Sequence, residues 1–183
     1  GFSWGEHGLI DKRHFYEESA RVPLLMRFPD AIKGGQINTS LISNADIAPT
    51  ILDFAQAEMP DYFVGESAKE TFNHIESTSK RKKIFYEYYW EYDFPMTPTT
   101  FGVRDSQYKL IRYHGIWDRN ELYDLKNDPY EMYNLIESPT HQERIISMTS
   151  ELYDWLKNTN GMLIPLKRTI KYRWGDYKHM QQY

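Results

Sequence analysis

Four short stretches, residues 84–90, 100–104, 108–113 and 121–125, are dense in β-branched and aromatic side chains, and turn residues such as Asp105-Ser106 and Gly115 separate them. Segments of this kind read as strands. Connections this short allow only antiparallel pairing, because a parallel return needs a crossover of a dozen residues or more. Directly afterwards Ser138 stands where an N-cap belongs, with Pro139 at the first helical position. Ile145, Met148, Leu152, Trp155 and Leu156 then recur at three- and four-residue spacing, and Gly161 supplies a stop. That pattern predicts one amphipathic helix packed across a small antiparallel sheet.

The first eighty residues read differently. Glycines flank Glu6 and His7, and a polar and aromatic run follows over 11–18, as in a loop that carries chemistry. Residues 22–28 are nearly all apolar and end at Pro29, which predicts a strand buried on both faces of an α/β sheet. Asn44 or Asp46 can cap a helix carrying Ile47, Ile51, Leu52 and Ala55, with Pro49 tolerated in its first turn, and this helix is expected to cover that sheet. Residues 59–83 lose periodicity and finish in Lys80-Arg81-Lys82-Lys83, read as a solvated link at a boundary near residue 80. The expected organisation is a unit over 1–80, the sheet and helix over 81–160, and a tail over 161–183.

Composition removes several classes of function. A net charge of −4 and a pI near 5.9 give no global basic field, so nucleic acid is not an expected partner. No stretch approaches the roughly 20 apolar residues of a membrane span. Cysteine is absent, which excludes disulfides, thiolate metal sites and a cysteine nucleophile within these residues. Fifteen tyrosines among 183 residues suit either packing or the flat faces of sugar rings.

His7 and Lys12 lie five residues apart in the glycine-rich opening. At an anionic tetrahedral centre a lysine can neutralise charge on a leaving oxygen, and an imidazole can pass a proton near pH 7. From spacing alone, a solvated lysine and a loop histidine satisfied by backbone carbonyls are the favoured reading.

Gly5-Glu6-His7-Gly8-Leu9, Asp11-Lys12 and the run from Tyr16 to Leu25 resemble the segment that follows the Asp-His-Gly metal motif of type I sulfatases. Asp46-Ile47-Ala48-Pro49-Thr50-Ile51-Leu52-Asp53, Gly102-Val103-Arg104, Tyr108-Lys109-Leu110-Ile111 and Glu121-Leu122-Tyr123-Asp124-Leu125 match in the family's order, as do Asp128-Pro129 and Asn134-Leu135. The resemblance implies the C-terminal part of an alkaline-phosphatase-like α/β domain, followed by a small antiparallel sheet and one long helix. It also implies sulfate-ester hydrolysis, in which a hydrated formylglycine attacks sulfur while a calcium ion steadies the sulfate. By the same resemblance Lys12 contacts sulfate, and His7 lies near the leaving oxygen or the sugar. Trp90, Arg104, His114 and Trp117 are candidate contacts for a sulfated carbohydrate, each with packing or surface pairing as its plainer role. Glu121 and Asp128 read as cap or turn residues.

The sequence departs from the family in two respects. The formylglycine signature, Cys or Ser followed two residues later by Pro and then Arg, does not occur, because Ser138-Pro139 has the wrong spacing. The calcium ligands of the family precede Gly1 in this alignment, so no metal ligand is assigned here. The expectation is a C-terminal fragment, inactive alone, whose partners are a sulfated carbohydrate and the remainder of the sulfatase chain, in a periplasmic or secreted parent. Two other readings stay open: a phosphodiester or phosphonate hydrolase of the same superfamily, and a non-catalytic carbohydrate-binding domain.

Overall fold

A computed structural model describes residues 1–73, 81–91, 93–115 and 119–163. Two short strands open the chain, β1 (Ser3–Trp4) and β2 (Ile10–Asp11), paired antiparallel with Ser3 opposite Asp11. The chain reverses between them through Gly5 and Gly8, at φ 129° and 71°, where a side chain would be strained. A single helical turn, α1 (Glu17–Ala20), follows. Next come α2 (Ile47–Phe54) and α3 (Lys69–Asn73), which pack on each other.

The main sheet is β3 (Ile84–Tyr88), β4 (Thr100–Arg104), β5 (Tyr108–Tyr113) and β6 (Glu121–Asp124), antiparallel and in chain order. Its registers put Tyr86 beside Gly102, Gly102 beside Ile111, and Ile111 beside Glu121. The expected strands therefore form, and the first ends early because the Trp90 backbone amide donates to Thr99 Oγ1 instead of continuing the ladder. Because strand side chains alternate between faces, Phe101, Val103, Leu110 and Leu122 lie on one side. They meet Ile145, Met148, Leu152 and Leu156 of α4 (Gln142–Asn158). Burying each of these apolar side chains stabilises the fold by about 1.5–3 kcal/mol. The opposite face carries Ile111 and Tyr123, which pack with Phe15 and Tyr16 from the start of the chain.

The ends of α4 depart from expectation in detail. Pro139–His141 form a 3-10 turn before the α-helix, and Ser138 bonds His141 Nδ1 at 2.8 Å rather than capping a backbone amide. At the other end Asn160 takes the left-handed conformation, φ 59°. Gly161 closes the helix end: its amide donates to Leu156 O at 2.7 Å, and a Cβ there would meet the tips of the Glu87 and Leu156 side chains at 2.6 Å.

Larger corrections fall in the first part. Residues 22–28 form no strand and pair in no sheet among the described residues, and Leu25 is 93% exposed. A doubly apolar segment becomes a buried strand only where neighbours supply ladder partners, and none of the described residues does. The helix α2 is preceded by a 3-10 turn capped by Ser43, which forms a capping box with Asp46. It leaves Ile51 56% exposed and packs against α3 instead of covering a sheet. Residues 74–80, including Lys80, lie outside the description, but Arg81 is no solvated link. Its Nε and Nη2 grip the buried Asp46 carboxylate at 2.7 and 2.5 Å, and Lys83 pairs with Glu151.

Candidate functional site

The loop between β1 and β2 holds His7 in a left-handed backbone conformation, φ 54°, which aims its ring back over the chain. The imidazole stacks on Tyr16 with centroids 3.9 Å apart and planes 6° from parallel, and its Nε2 lies 3.7 Å from Glu18 Oε2. The Tyr16 hydroxyl donates to both oxygens of Glu121, at 2.9 and 2.8 Å. Burial pushes the Glu121 carboxyl above the ordinary carboxylate range despite that bond. Burial, together with Tyr113 and Glu121, likewise pushes the Tyr16 phenol upward. Glu121 thus opens β6 and accepts a tyrosine hydrogen bond, rather than capping a turn; Asp128 does serve a turn, accepting from the amides of Met132 and Tyr133.

Lys12 follows β2 with an exposed side chain, and its backbone amide donates to Asp11 Oδ1 at 2.6 Å. Its neighbour Arg13 pairs with Asp11, reaches Glu91 Oε1 with Nε at 3.4 Å, and lies over Phe94 with Cζ 3.2 Å from the ring centroid. These contacts tie the Lys12 loop to the connection between β3 and β4, a geometry that suits cation–π attraction.

Beneath the loop runs a buried chain of charges. Lys109, fully buried on β5, places Nζ 2.6 Å from Phe15 O, 2.8 Å from Glu17 Oε1 and 2.7 Å from Glu131 Oε1. Glu131 Oε2 accepts the Glu17 amide at 2.6 Å, and Arg104 Nη1 bonds both oxygens of Glu17 at 2.8 Å. Burial alone would raise Glu17, but Lys109 and Arg104 overcome it and hold the carboxyl below its ordinary range. For Glu131 burial wins, and its carboxyl sits above that range.

Trp90 and His114 flank Thr99 at one end of the sheet. The Trp90 amide donates to Thr99 Oγ1 at 2.9 Å, and the His114 amide donates to Thr99 O at 2.9 Å. Both side chains are exposed, and Arg13 reaches the same end through Glu91 and Phe94. Arg104 sits at the far end of β4, roughly 13 Å of strand away at about 3.3 Å per residue, with its guanidinium committed to Glu17. Trp117 lies outside the described residues. The structure therefore gathers the Lys12 loop, Trp90 and His114, and gives Arg104 to the buried charge chain.

His7, Glu18 and Glu131 bring possible ligand atoms within 4.8 Å of one another. The trio does not fit calcium, which takes six to eight oxygen ligands. It offers one nitrogen and two carboxylates, and the Lys109 ammonium already neutralises Glu131.

Arg13, Tyr16, Glu17, Lys109 and Glu131 had not been singled out from the sequence. For Lys109 a signal existed: it shares strand parity with the apolar Ile111, which places a cation on a packed face. Glu131 gave no such signal.

The chain matches the family described as N-sulphoglucosamine sulphohydrolase, C-terminal, over residues 5–158. It is 36% identical over 189 residues to the N-acetylglucosamine-6-O-sulfatase of Bacteroides thetaiotaomicron, covering 99% of this chain and 33% of that protein. It is 31% identical over 153 residues to an arylsulfatase of Clostridium perfringens, covering 79% of this chain and 29% of that one. Its structure is similar, with a TM-score of 0.79 and 36% identity, to a protein solved in complex with its substrate D-glucosamine-2-N,6-O-disulfate, over 88% of this chain and 33% of the other. The chain spans about a third of the length of these curated relatives.

Proposed function

The chain belongs to the sulfatases, through the family of N-sulphoglucosamine sulphohydrolase C-terminal regions, and from that premise we propose that it forms the C-terminal third of an enzyme hydrolysing sulfate esters of a carbohydrate. The fold class is the C-terminal part of an alkaline-phosphatase-like sulfatase, with its four-stranded antiparallel sheet and long helix. One observation carries the functional reading: sequence and structural likeness run almost the whole length of the chain to proteins named for, or held with, a sulfated glucosamine. The substrate we infer is a sulfated amino sugar.

In this reading residues 1–80 close the catalytic α/β domain, 81–160 form the C-terminal subdomain, and 161–183 form a tail. Lys12 presents its ammonium, from an exposed loop, to a sulfate oxygen whose charge grows as the ester bond breaks. His7, held over Tyr16 beside Glu18, is placed to exchange a proton with the leaving sugar oxygen. Trp90 and His114, on the same side as the Lys12 loop, edge the sugar. The formylglycine and a calcium ion, which the family implies, supply the attacking oxygen and a counter-charge when present, from residues other than those described. Curated sulfatase relatives favour this reading over a phosphonate hydrolase or a non-catalytic module. No helix among the described residues is long and apolar enough to cross a membrane, and a periplasmic or secreted parent is the proposed location.

The test is sulfate release from 6-O-sulfated N-acetylglucosamine by the full-length parent and its Lys12→Ala variant. The parent is expected to release sulfate, and the variant to lose release at least 100-fold, on the order of one preorganised charge contact, with its circular dichroism unchanged. A parent that leaves sulfated sugars intact, or a variant as active as the parent, would refute the reading.

A further inference from the structure

Lys109 is a buried cation with no route to solvent, in a protein whose proposed chemistry is performed at a surface loop. Its ammonium donates to the Phe15 carbonyl at 2.6 Å and forms ion pairs with Glu17 at 2.8 Å and Glu131 at 2.7 Å. Two of them belong to residues 15–17, the segment that follows directly from the Lys12 loop. Between them sits Tyr16, on whose ring His7 is stacked. Glu131 adds a second hold on that segment by accepting the Glu17 amide. The ring of Phe15 closes the arrangement, stacked on Tyr86 with centroids 4.6 Å apart and 4.9 Å from the Lys109 ammonium.

We propose that Lys109 is a positioning residue for the sulfatase reaction: through Phe15 O, Glu17 and Glu131 it anchors residues 15–17 to the sheet, and so sets the places of His7 and Lys12. A purely packing role would need only an apolar side chain at this parity, as at Ile111. A buried ammonium does more than fill space: it donates to the Phe15 carbonyl and is held by charge between Glu17 and Glu131, so an apolar side chain could not replace it. Glu131 matches this role with a left-handed backbone, φ 53°, that turns its carboxylate inward to the Lys109 ammonium and the Glu17 amide. Charge in the cluster is balanced, with Lys109 and Arg104 opposite Glu17 and Glu131.

The inference rests on the sulfatase reading, and the assay separates the two. A full-length wild type that releases no sulfate sinks the functional reading before any variant is made. With an active wild type, three variants are compared: Lys109→Met, Lys109→Met with Glu131→Gln, and Glu131→Gln alone. The double variant removes both charges of the buried pair, so it recovers fold stability without recovering the anchor. Mispositioned groups that act only in the transition state lower kcat and kcat/KM together, and displacement by about 1 Å costs up to 100-fold. The expected result is a kcat lowered at least tenfold in the folded lysine variants, with KM changed less than about threefold, and a smaller fall in Glu131→Gln. Wild-type kcat in folded Lys109→Met or in the double variant would overturn the proposal. Should neither lysine variant fold, Glu131→Gln decides: a lowered kcat supports the anchor and an unchanged one overturns it.

Discussion

Phe15 lies where a side chain on residue 102 would have to go: a Cβ built at Gly102 overlaps the Phe15 ring and comes within 3.1 Å of the Leu110 carbonyl oxygen. Glycine is required on β4 because a ring from the start of the chain seats directly on the backbone. Gly102→Ala is therefore expected to cost about 1–3 kcal/mol through overpacking, and to loosen the His7 loop attached to Phe15. Urea unfolding of the full-length parent and variant, followed by near-ultraviolet circular dichroism, measures the loss. Equal midpoints would show that the ring does not sit there.

The face of α4 gives a graded comparison. Leu152 is fully buried against the sheet, whereas Ile146, six residues earlier, is 68% exposed. Leu152→Ala should destabilise by about 2–5 kcal/mol, and Ile146→Ala by no more than about 0.5 kcal/mol. Thermal unfolding of both variants checks the orientation of the helix, and similar losses at the two positions would contradict it.

Acid should unfold this part of the protein through two gripped carboxylates. Lys109 and Arg104 outweigh burial at Glu17, whose ordinary value is 4.5. Arg81 and the amides of Glu66 and Ser43 outweigh burial at Asp46, whose ordinary value is 3.8. A carboxyl held lower in the folded state binds fewer protons there, so its stabilisation is present above the unfolded value and is lost as pH falls through the folded one. Stability is expected to drop as pH descends below these ordinary values. Arg81→Met should flatten that acid limb in melting temperature against pH, and an equally steep limb in the variant would argue against the Asp46 grip.

Glu121 works in the opposite sense. Burial raises its carboxyl above 4.5, and the Tyr16 hydroxyl partly offsets the rise by bonding the charged form. A group raised in the folded state contributes stability that is present below its unfolded value and lost as pH climbs through the folded one. Tyr16→Phe keeps the ring under His7 but removes the donor, so the Glu121 pKa should rise further. Carbon-13 carboxyl titration by NMR reads the shift, and a fall or no change would rule out the bond.

Some of the local geometry of the candidate site was legible from pattern. The glycines around His7 predict a loop, and the turns at Gly5 and Gly8 are where the chain reverses. Arg104 reads in the sequence as a candidate contact for a sulfated sugar because a sequence shows charge without its partner, and that partner, Glu17, is 87 residues away. Arg81 was read as solvated for the same reason, although Asp46 holds it across 35 residues.

The amino-acid order by itself determined the four strands of the sheet and the buried stripe of α4, because periods of two and of about 3.6 residues are written between near neighbours. Only the tertiary structure decided which charges meet: Lys109 with Glu17 and Glu131, Arg104 with Glu17, Arg81 with Asp46. It also decided that residues 22–28 stay out of any sheet among the described residues, for a strand exists only where another backbone completes its hydrogen bonds. Partners distant along the chain carry no shared period, so folding alone brings them within reach.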